Sequence, residues 1–132
     1  MRNRILHRKY FLAQSNKLNM KHLVILGAGT AGTMMANHLN HHLKKPDWQI
    51  SIIDERKEHH YQPGYLFLPF DIYSPEDIIK NIEDFIPKQV ELIKATIDKV
   101  LPKENKVKMA DGRELNYDVL IVATGAKIAP EE

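Results

Sequence analysis

Three glycines in the segment "HLVILGAGTAG" have the spacing of a binding turn for a dinucleotide diphosphate. Gly27, Gly29 and Gly32 follow a short apolar run in the order G-x-G-x-x-G. In such a turn the first glycine permits a tight bend, the second lets the backbone approach a pyrophosphate, and the third lets the helix pack on the strand. Backbone N–H groups at the start of that helix face the anion. The pattern predicts cofactor contacts along the whole turn: Gly27, Ala28, Gly29, Thr30, Ala31 and Gly32.

Two acidic residues lie at the distance from the glycine turn where the residue that binds the adenosine ribose is expected. Asp54 follows Gly32 by twenty-two residues, and its carboxylate can accept hydrogen bonds from ribose hydroxyls. Glu55 is the neighbouring candidate for the same ribose, with plain solvent exposure as an equally good interpretation. An acid in this position disfavours the 2′-phosphate of NADP. The glycines alone leave open whether the dinucleotide carries nicotinamide or flavin.

The elements around the glycines predict a strand–helix–strand unit. Residues 23–26 have the apolar character of a strand buried in a parallel sheet. Residues 30–43 carry apolar or small side chains at helical spacing, and Lys44, Lys45 and Pro46 follow as a stop signal. Residues 49–53 then form a second strand, with Asp54 at its carboxyl end. This order predicts the α/β class and a Rossmann-like βαβ unit with a parallel sheet.

The remainder of the chain predicts a loop, a helix, a meander and a last strand. Residues 55–73 are rich in aromatic side chains, proline and histidine, without a clear period. Residues 74–86 predict one helix, in which Ser74 is the cap, Pro75 the first helical residue and Pro87 the stop. Residues 90–116 predict short strands joined by turns, an antiparallel β-meander. Residues 117–126 predict another buried strand that runs into a glycine.

Composition fits one modest globular domain and restricts its chemistry. The 132 residues are 43% hydrophobic and 27% charged, which is ordinary for a folded protein. The absence of cysteine excludes disulfides, thiolate metal sites and cysteine nucleophiles within these residues. A bilayer helix needs about 20 predominantly apolar residues, and the sequence contains no such run.

Residues 1–19 differ from the rest of the chain in charge. They are basic and lack acids, and the first acid of the whole sequence is Asp47. No continuous apolar segment is present, so a secretory signal is not predicted. We interpret these residues as an extension upstream of a true start at Met20, with a mitochondrial transit peptide as the alternative. Without a recognisable nucleic-acid motif, the basic charge does not predict nucleic-acid binding.

A second motif bears on the choice between flavin and nicotinamide. The segment "LNYDVLIVATGAKIAP" resembles the second flavin signature of the flavoproteins with two dinucleotide-binding domains, and residues 20–132 follow that family's order of motifs. The resemblance implies a tightly bound FAD, with its diphosphate over the glycine turn and its ribose on Asp54. It further implies that Thr124 and Gly125 lie close to the cofactor, and that the main chain near Thr96 and Ile97 contacts adenine.

The loop after Asp54 narrows the resemblance to one branch. The segment "HHYQPGYLFLPFDIYSPEDIIKNIEDFI" is similar to the sulfide:quinone oxidoreductase and flavocytochrome c sulfide dehydrogenase branch. "HHYQP" is also similar to type II NADH dehydrogenases, which, with other NAD(P)/FAD-dependent oxidoreductases of the pyridine-nucleotide disulfide type, are the alternative. The resemblance implies that Gln62 and Pro63 approach the isoalloxazine. It also implies sulfide oxidation at a cysteine pair, with electrons passing through FAD to a quinone, at a respiratory membrane to which the protein is peripheral.

The resemblance also indicates that the chain is an incomplete domain. Proteins of this family run to several hundred residues, so residues 20–132 correspond to the first portion of the FAD/NAD(P)-binding domain. With no cysteine, the chain holds no catalytic residue of the sulfide reaction, and we expect it to be inactive and to bind FAD weakly by itself. The resemblance leaves open whether the protein forms a homo-oligomer. The alternative from another class is a truncated nucleotide-binding module without catalysis.

Several other clusters invite a functional interpretation that the sequence does not favour. His38, His41 and His42 share one end of the predicted helix, and His38 and His42 are four residues apart. No Glu lies between them and no third ligand lies near, so we predict no metal site. His59 and His60 are expected to be solvent-exposed loop residues rather than proton carriers. Aromatic side chains of the loop could line a quinone or flavin surface or simply pack within the loop: Tyr61, Tyr65, Phe67, Phe70 and Tyr73.

Overall fold

The centre of the protein is a four-stranded parallel sheet. The computed structural model describes residues 20–43 and 46–126, so the extension at residues 1–19 and the stop signal at Lys44 and Lys45 lie outside the described residues. The strand order in the sheet is β5-β2-β1-β9, and all three strand pairs are parallel. The strands are β1 (Lys21–Leu26), β2 (Trp48–Asp54), β5 (Glu91–Lys94) and β9 (Val119–Val122).

The predicted strand–helix–strand unit is confirmed around the glycine turn. A helix, α1 (Thr30–His42), joins β1 to β2. Because side chains alternate across a strand, β1 presents Leu23 and Ile25 to the face that α1 covers. Ala36 of α1 is fully buried against this face. The helix and the sheet together make one half of the core.

An antiparallel sheet of three strands covers the opposite face of the parallel sheet. Its strands are β6 (Ile97–Leu101), β7 (Lys106–Met109) and β8 (Glu114–Asn116), in the order β6-β7-β8. Val107 and Met109 of β7 pack against Val24, Leu26 and Ile53 of the parallel sheet. The predicted β-meander is therefore confirmed for these three strands, and it forms the other half of the core.

The prediction of a single helix over residues 74–86 is wrong. The helix α2 spans only Pro75–Ile78, and the chain continues as a strand, β4 (Ile79–Asn81), and a 3₁₀ turn over Ile82–Phe85. The strand β4 pairs antiparallel with β3 (Glu58–His60). Tyr61 N–H donates to the Ile78 carbonyl at 2.8 Å, so long-range bonds replace the helical ones, and β-branched isoleucines favour that exchange.

Two further expectations for the strands need correction. The predicted meander over residues 90–116 begins too early, because β5 joins the parallel sheet and the antiparallel sheet begins at β6. The last strand, β9, is not buried as predicted, because it lies at the edge of the four-stranded sheet, where Val122 is 65% exposed. The loop of residues 55–73 contains β3 and a 3₁₀ segment, Gln62–Phe70.

The parallel arrangement brings the carboxyl ends of the strands to one edge of the sheet. In the register, Leu26 of β1 lies beside Ile53 of β2 and Val122 of β9, and Asp54 lies beside Lys94 of β5. Ligands of open α/β sheets bind at this edge. Among residues 20–43 and 46–126, no helix has the length and apolar character to cross a membrane.

Candidate dinucleotide-binding site

Gly27 makes the turn at the end of β1 and accepts no side chain. Its φ of +92° lies in the region that favours glycine. A Cβ added to Gly27 would lie 2.5 Å from the carbonyl oxygen of Ala123, in the segment after β9. The Gly27 N–H donates to the Ile53 carbonyl at 2.8 Å, which ties the turn to β2. The turn is therefore wedged between its two neighbouring strands.

The other two glycines of the turn meet different surroundings. A Cβ added to Gly32 would lie 1.8 Å from the carbonyl oxygen of Gly27, so Gly32 lets α1 pack closely on the turn. Among the described residues, a Cβ added to Gly29 would meet only Nη2 of Arg56, at 3.7 Å. Gly29 has ordinary extended backbone angles, with a φ of −70°. The space in front of Gly29 is thus available to a ligand, whereas Gly27 and Gly32 serve the fold.

The first turn of α1 fits an anion. The first hydrogen bond of the helix runs from Thr33 N–H to the Gly29 carbonyl at 2.9 Å, so the N–H groups of Thr30, Ala31 and Gly32 have no acceptor within the helix. No acidic side chain occurs in this turn. Together with the helix dipole, these N–H groups can hold a phosphate.

The carboxylate of Asp54 lies at the end of β2 and joins the glycine turn directly. Its Oδ2 accepts the N–H of Ala28 at 2.7 Å and Nη2 of Arg56 at 3.0 Å, while Oδ1 accepts the Arg56 N–H at 2.9 Å and Nε at 3.1 Å. Burial alone would raise the pKa of Asp54, but the hydrogen bonds from Arg56 and Ala28 outweigh it and hold the pKa below its ordinary value. Asp54 is therefore an ionised residue that is only 5% exposed.

A groove of about 490 Å³ opens at the carboxyl ends of the strands, next to this carboxylate. Its volume is within the range of small-molecule sites. Six residues that the sequence predicted as cofactor contacts line it: Gly27, Asp54, Glu55, Ile97, Thr124 and Gly125. Ala28 joins them through its hydrogen bond to Asp54, and Gly29, the residue before α1, lies beside Arg56.

Glu55 faces the groove and is held by its far wall. Its Oε2 accepts the hydroxyl of Thr96 at 2.8 Å, and both residues line the groove. The Thr96 carbonyl accepts the N–H of Ala110 at 2.9 Å, which fixes the start of β6 against the end of β7. Glu55 thus links the β2 end to the segment where main-chain contacts to adenine are predicted.

Gln62 and Pro63 are not among the residues that line the groove. Both are exposed at the start of the 3₁₀ segment. The segment is anchored through Gly64, where an added Cβ would lie 2.4 Å from the side chain of Ile78. Their approach to a flavin ring therefore stays a prediction.

Arg56 is the charged residue of the groove that the sequence interpretation missed, besides the apolar Ile53, Ala95 and Ala126. It lines the groove two residues after Asp54, and its guanidinium contacts the Asp54 carboxylate through Nε and Nη2. The signal was available, since a basic residue that closely follows the acid at the end of the second strand lies within reach of the carboxylate. The residues after a strand end are, however, usually exposed, and their partners are not visible in a pattern.

The histidines and loop aromatics form local contacts outside the groove. The rings of His38 and His42 are 4.4 Å apart, and within the described ranges no group of three or more possible metal ligands occurs. His59 stacks on Phe85, with the ring centroids 4.7 Å apart. His59 and His60 are both partly buried, which corrects the expectation of solvent-exposed residues. The Nδ1 atom of His60 lies 2.5 Å from the hydroxyl of Tyr65.

Sequence comparison finds relatives over most of the chain. Residues 21–130 match the family model of the pyridine nucleotide-disulphide oxidoreductases. Over 110 residues the chain is 36% identical to the mitochondrial sulfide:quinone oxidoreductase of Dictyostelium discoideum, covering 83% of this chain and 24% of that protein. It is also 32% identical over 107 residues to a type II NADH:quinone oxidoreductase of Staphylococcus haemolyticus, covering 80% of this chain and 26% of the relative.

Structural comparison gives the same placement. The sulfide:quinone oxidoreductase of Aquifex aeolicus superposes with a TM-score of 0.71 at 28% identity, covering 83% of this chain and 25% of the Aquifex chain. The chain spans about a quarter of the length of these relatives. Its parallel sheet, helix and antiparallel strands are those of the Rossmann-type FAD/NAD-binding flavoproteins. The chain belongs to the pyridine nucleotide-disulphide oxidoreductase family.

Proposed function

We propose that this chain is the FAD-binding N-terminal portion of a flavin-dependent oxidoreductase that oxidises sulfide and passes the electrons through FAD to a quinone. The observation that carries the cofactor assignment is the 2.7 Å hydrogen bond between the Ala28 N–H and Asp54. It joins the glycine turn to Asp54, and Gly27 of the turn and Asp54 both line the groove. A dinucleotide can therefore contact the turn through its diphosphate and the acid through its ribose.

The groove residues divide between the parts of FAD in this proposal. The turn from Gly27 to Gly32 holds the diphosphate, Asp54 and Glu55 face the ribose, and Ile97 with Thr96 faces adenine. Thr124 and Gly125 follow the last strand and lie nearer the flavin. FAD, when bound, takes two electrons from the donor and releases them to the acceptor. The residues of this chain bind and orient it.

Sulfide is proposed as the donor on the basis of the relatives. The Dictyostelium protein at 36% identity and an Aquifex aeolicus protein at 30% identity both carry the name of a sulfide–quinone enzyme. The chain contains no cysteine, so the thiols that such a reaction needs must come from outside these 132 residues. Quinone and a mitochondrial location, both named for the Dictyostelium relative, belong to the same proposal. A respiratory membrane surface is a further part of it.

NADH is the second candidate donor. The 32% identity to a type II NADH:quinone oxidoreductase, over nearly the same residues, favours it. In that case the acceptor remains a quinone and the FAD groove has the same role. The two candidates differ in sequence outside this chain, where one needs a cysteine pair and the other a second dinucleotide-binding turn.

Titration of the purified chain with FAD tests the cofactor assignment. We expect quenching of flavin fluorescence and saturable but weak binding, because only part of the family's domain is present. The variant Asp54→Ala should weaken this binding, whereas Asp111→Ala, which removes a carboxylate on the meander, should not. Absence of binding by the folded wild-type chain would leave the truncated, non-catalytic module as the better description.

The donor is tested on the longest protein that the reading frame encodes. Purified with its flavin, that protein should reduce a water-soluble quinone when sulfide is added and not when NADH is added. Reduction with NADH alone would replace the sulfide proposal by the second candidate. Bleaching of the flavin absorption by each donor, measured without quinone, separates the donor step from the acceptor step.

A further inference from the structure

The carboxylate of Asp54 has no free position for a ribose hydroxyl. A carboxylate offers about four lone-pair sites. Four N–H groups contact Asp54, two at each oxygen: Ala28 N–H and Arg56 Nη2 at Oδ2, and Arg56 N–H and Nε at Oδ1. A ribose diol can therefore bind Asp54 only after one or two of these donors have left.

The guanidinium of Arg56 is the donor that can leave. The N–H groups of Ala28 and Arg56 are fixed by the backbone of the turn and of the β2 end. The Arg56 side chain, by contrast, is 55% exposed and rotates about several bonds. Its Nη2 is 3.7 Å from the position of an added Cβ on Gly29. A short rotation therefore takes the guanidinium from Asp54 to the space in front of Gly29.

Electrostatic attraction to a bound diphosphate would favour this movement of the guanidinium. The first turn of α1 contains no acidic side chain and no Lys or Arg, so the helix itself offers a diphosphate only N–H groups and about half a positive charge. If Arg56 swung into solvent, the ionised Asp54 would face the diphosphate without a counter-charge. An arginine that contacts the diphosphate supplies a full charge and a planar pair of donors.

We propose that Arg56 is a second recognition residue for the dinucleotide, which pairs with Asp54 in the empty groove and moves to the diphosphate beside Gly29 when the ribose hydroxyls bind Asp54. The proposal rests on the proposed function, because it takes FAD as the occupant of the groove. It adds an exchange of partners: ribose hydroxyls replace guanidinium on Asp54, and phosphate oxygens replace Asp54 on the guanidinium.

The chain supplies a matched control for Arg56. Arg113 also pairs with an aspartate two residues earlier, with Nη2 2.7 Å from Oδ2 of Asp111, and its side chain is likewise 55% exposed. Arg113 lies on the meander and is not among the residues that line the groove. The variants Arg56→Gln and Arg113→Gln therefore remove the same kind of ion pair inside and outside the proposed site.

Titration of both variants and the wild-type chain with FAD, at two NaCl concentrations, tests the proposal. Arg56→Gln should bind FAD about tenfold more weakly, as expected for loss of one charged hydrogen bond, and with a smaller dependence on salt. Adenosine has the ribose diol but no phosphate. It should bind Arg56→Gln at least as well as wild type, because the Arg56 guanidinium no longer competes with the ribose hydroxyls for Asp54. Arg113→Gln should behave as wild type towards both ligands.

The outcomes separate this proposal from the function on which it rests. If Arg56→Gln binds FAD as tightly as wild type or more tightly, Arg56 only blocks Asp54 and the proposal is overturned. If the wild-type chain binds no FAD, the proposed function fails, and this inference fails with it. Circular dichroism establishes that Arg56→Gln is folded. As a second readout, the Nε–H NMR signal of Arg56 in the wild-type chain should shift on FAD addition, and an unchanged signal would contradict the exchange.

Discussion

The N–H of Ala28 donates to Oδ2 of Asp54 across 2.7 Å, and so the loop after β1 is fastened to the end of β2. The bond spans 26 positions of sequence and lies in a buried environment. It gives one carboxylate two functions, since Asp54 holds the shape of the glycine turn and also faces the groove. Changes at Asp54 should therefore appear in both stability and ligand binding.

The variant Asp54→Asn should lower the free energy of unfolding by about 1–3 kcal/mol, the usual cost of leaving buried hydrogen-bonding groups without their charged partner. An amide keeps one acceptor oxygen but presents an NH₂ group to the remaining donors. Urea unfolding followed by circular dichroism measures the change. Asp111→Asn, which alters an exposed ion pair of the same kind, should leave the urea midpoint almost unchanged. Equal midpoints for both variants would contradict the structural role of Asp54.

The three glycines of the turn should separate into fold and ligand classes when each is replaced by alanine. Gly27→Ala forces a φ of +92° on a residue with a Cβ, and Gly32→Ala places a Cβ 1.8 Å from a carbonyl oxygen. Each should lower the unfolding free energy by at least about 1–2 kcal/mol. Gly29→Ala adds a Cβ with room around it and should leave stability within about 1 kcal/mol of wild type.

The same three variants should rank differently in FAD binding. Gly29→Ala fills the space through which a diphosphate approaches the backbone, so this well-folded variant should lose affinity by about tenfold or more. The measurement is FAD titration of samples that urea unfolding has already shown to be folded. A Gly29→Ala chain that binds FAD like wild type would mean that the diphosphate does not contact the turn at Gly29.

The glycine turn and the position of Asp54 beside it could be predicted because both follow from local sequence. A strand, three glycines and a helix are contiguous in sequence, and Asp54 follows from the length of one βαβ unit. The sequence places Arg56 within reach of Asp54, but whether the two pair depends on side-chain rotamers, which a sequence pattern does not show. The groove wall at Ile97 came from the resemblance to a family, and the order of the sheet brings it to the site.

The failed helix prediction over residues 74–86 has a different physical origin. Ile78 and Ile82 are four residues apart and both are buried, which satisfies helical spacing. The same residues, however, serve a strand pair, since Tyr61 N–H donates to the Ile78 carbonyl and Ile82 N–H donates to the Lys57 carbonyl. A periodic pattern records which side chains are buried and not which backbone groups are paired. Long-range pairing of this kind overrides local propensity.

Stability should fall as the pH drops below neutrality because of His22. Burial lowers the pKa of His22 from 6.5, although the Asn116 carbonyl, Glu91 and Asp118 partly oppose the shift. Its Nε2 lies 2.8 Å from Oγ of Ser51, which in turn donates to Glu91 at 2.8 Å, so the neutral ring donates into a chain across three strands. Since the folded pKa is lower, the unfolded chain binds more protons between the folded value and pH 6.5, and stability is lost as the pH falls across that interval.

The variant His22→Gln should remove this part of the pH dependence. The measurement is the difference in unfolding free energy between pH 8 and pH 5 for wild type and variant, so that the contributions of the other histidines cancel. His41→Gln, on the exposed side of α1, is the control and should retain the wild-type difference. An unchanged difference in His22→Gln would mean that the ring titrates alike in the folded and unfolded chains.

The meander should hold the groove wall in place through Met109. This side chain is 2% exposed and packs with Val107 against Val24 and Leu26 of the central sheet. Met109→Ala should lower the unfolding free energy by about 2–5 kcal/mol, the range for truncating a buried methionine. Met34→Ala, on α1 with the side chain 67% exposed, should have little effect on the same urea transition.

The strand β7 pairs with β6, and β6 begins at Ile97 in the groove wall. Truncation of Met109 on β7 should therefore also make this wall of the groove less stable. Hydrogen exchange of the Ala110 N–H, which donates to the Thr96 carbonyl, reports on this wall directly. Exchange should be faster in Met109→Ala than in Met34→Ala. If the Ala110 amide stays equally protected while global stability falls, the wall is held by β5 and the β2 end, and the meander contributes to the core alone.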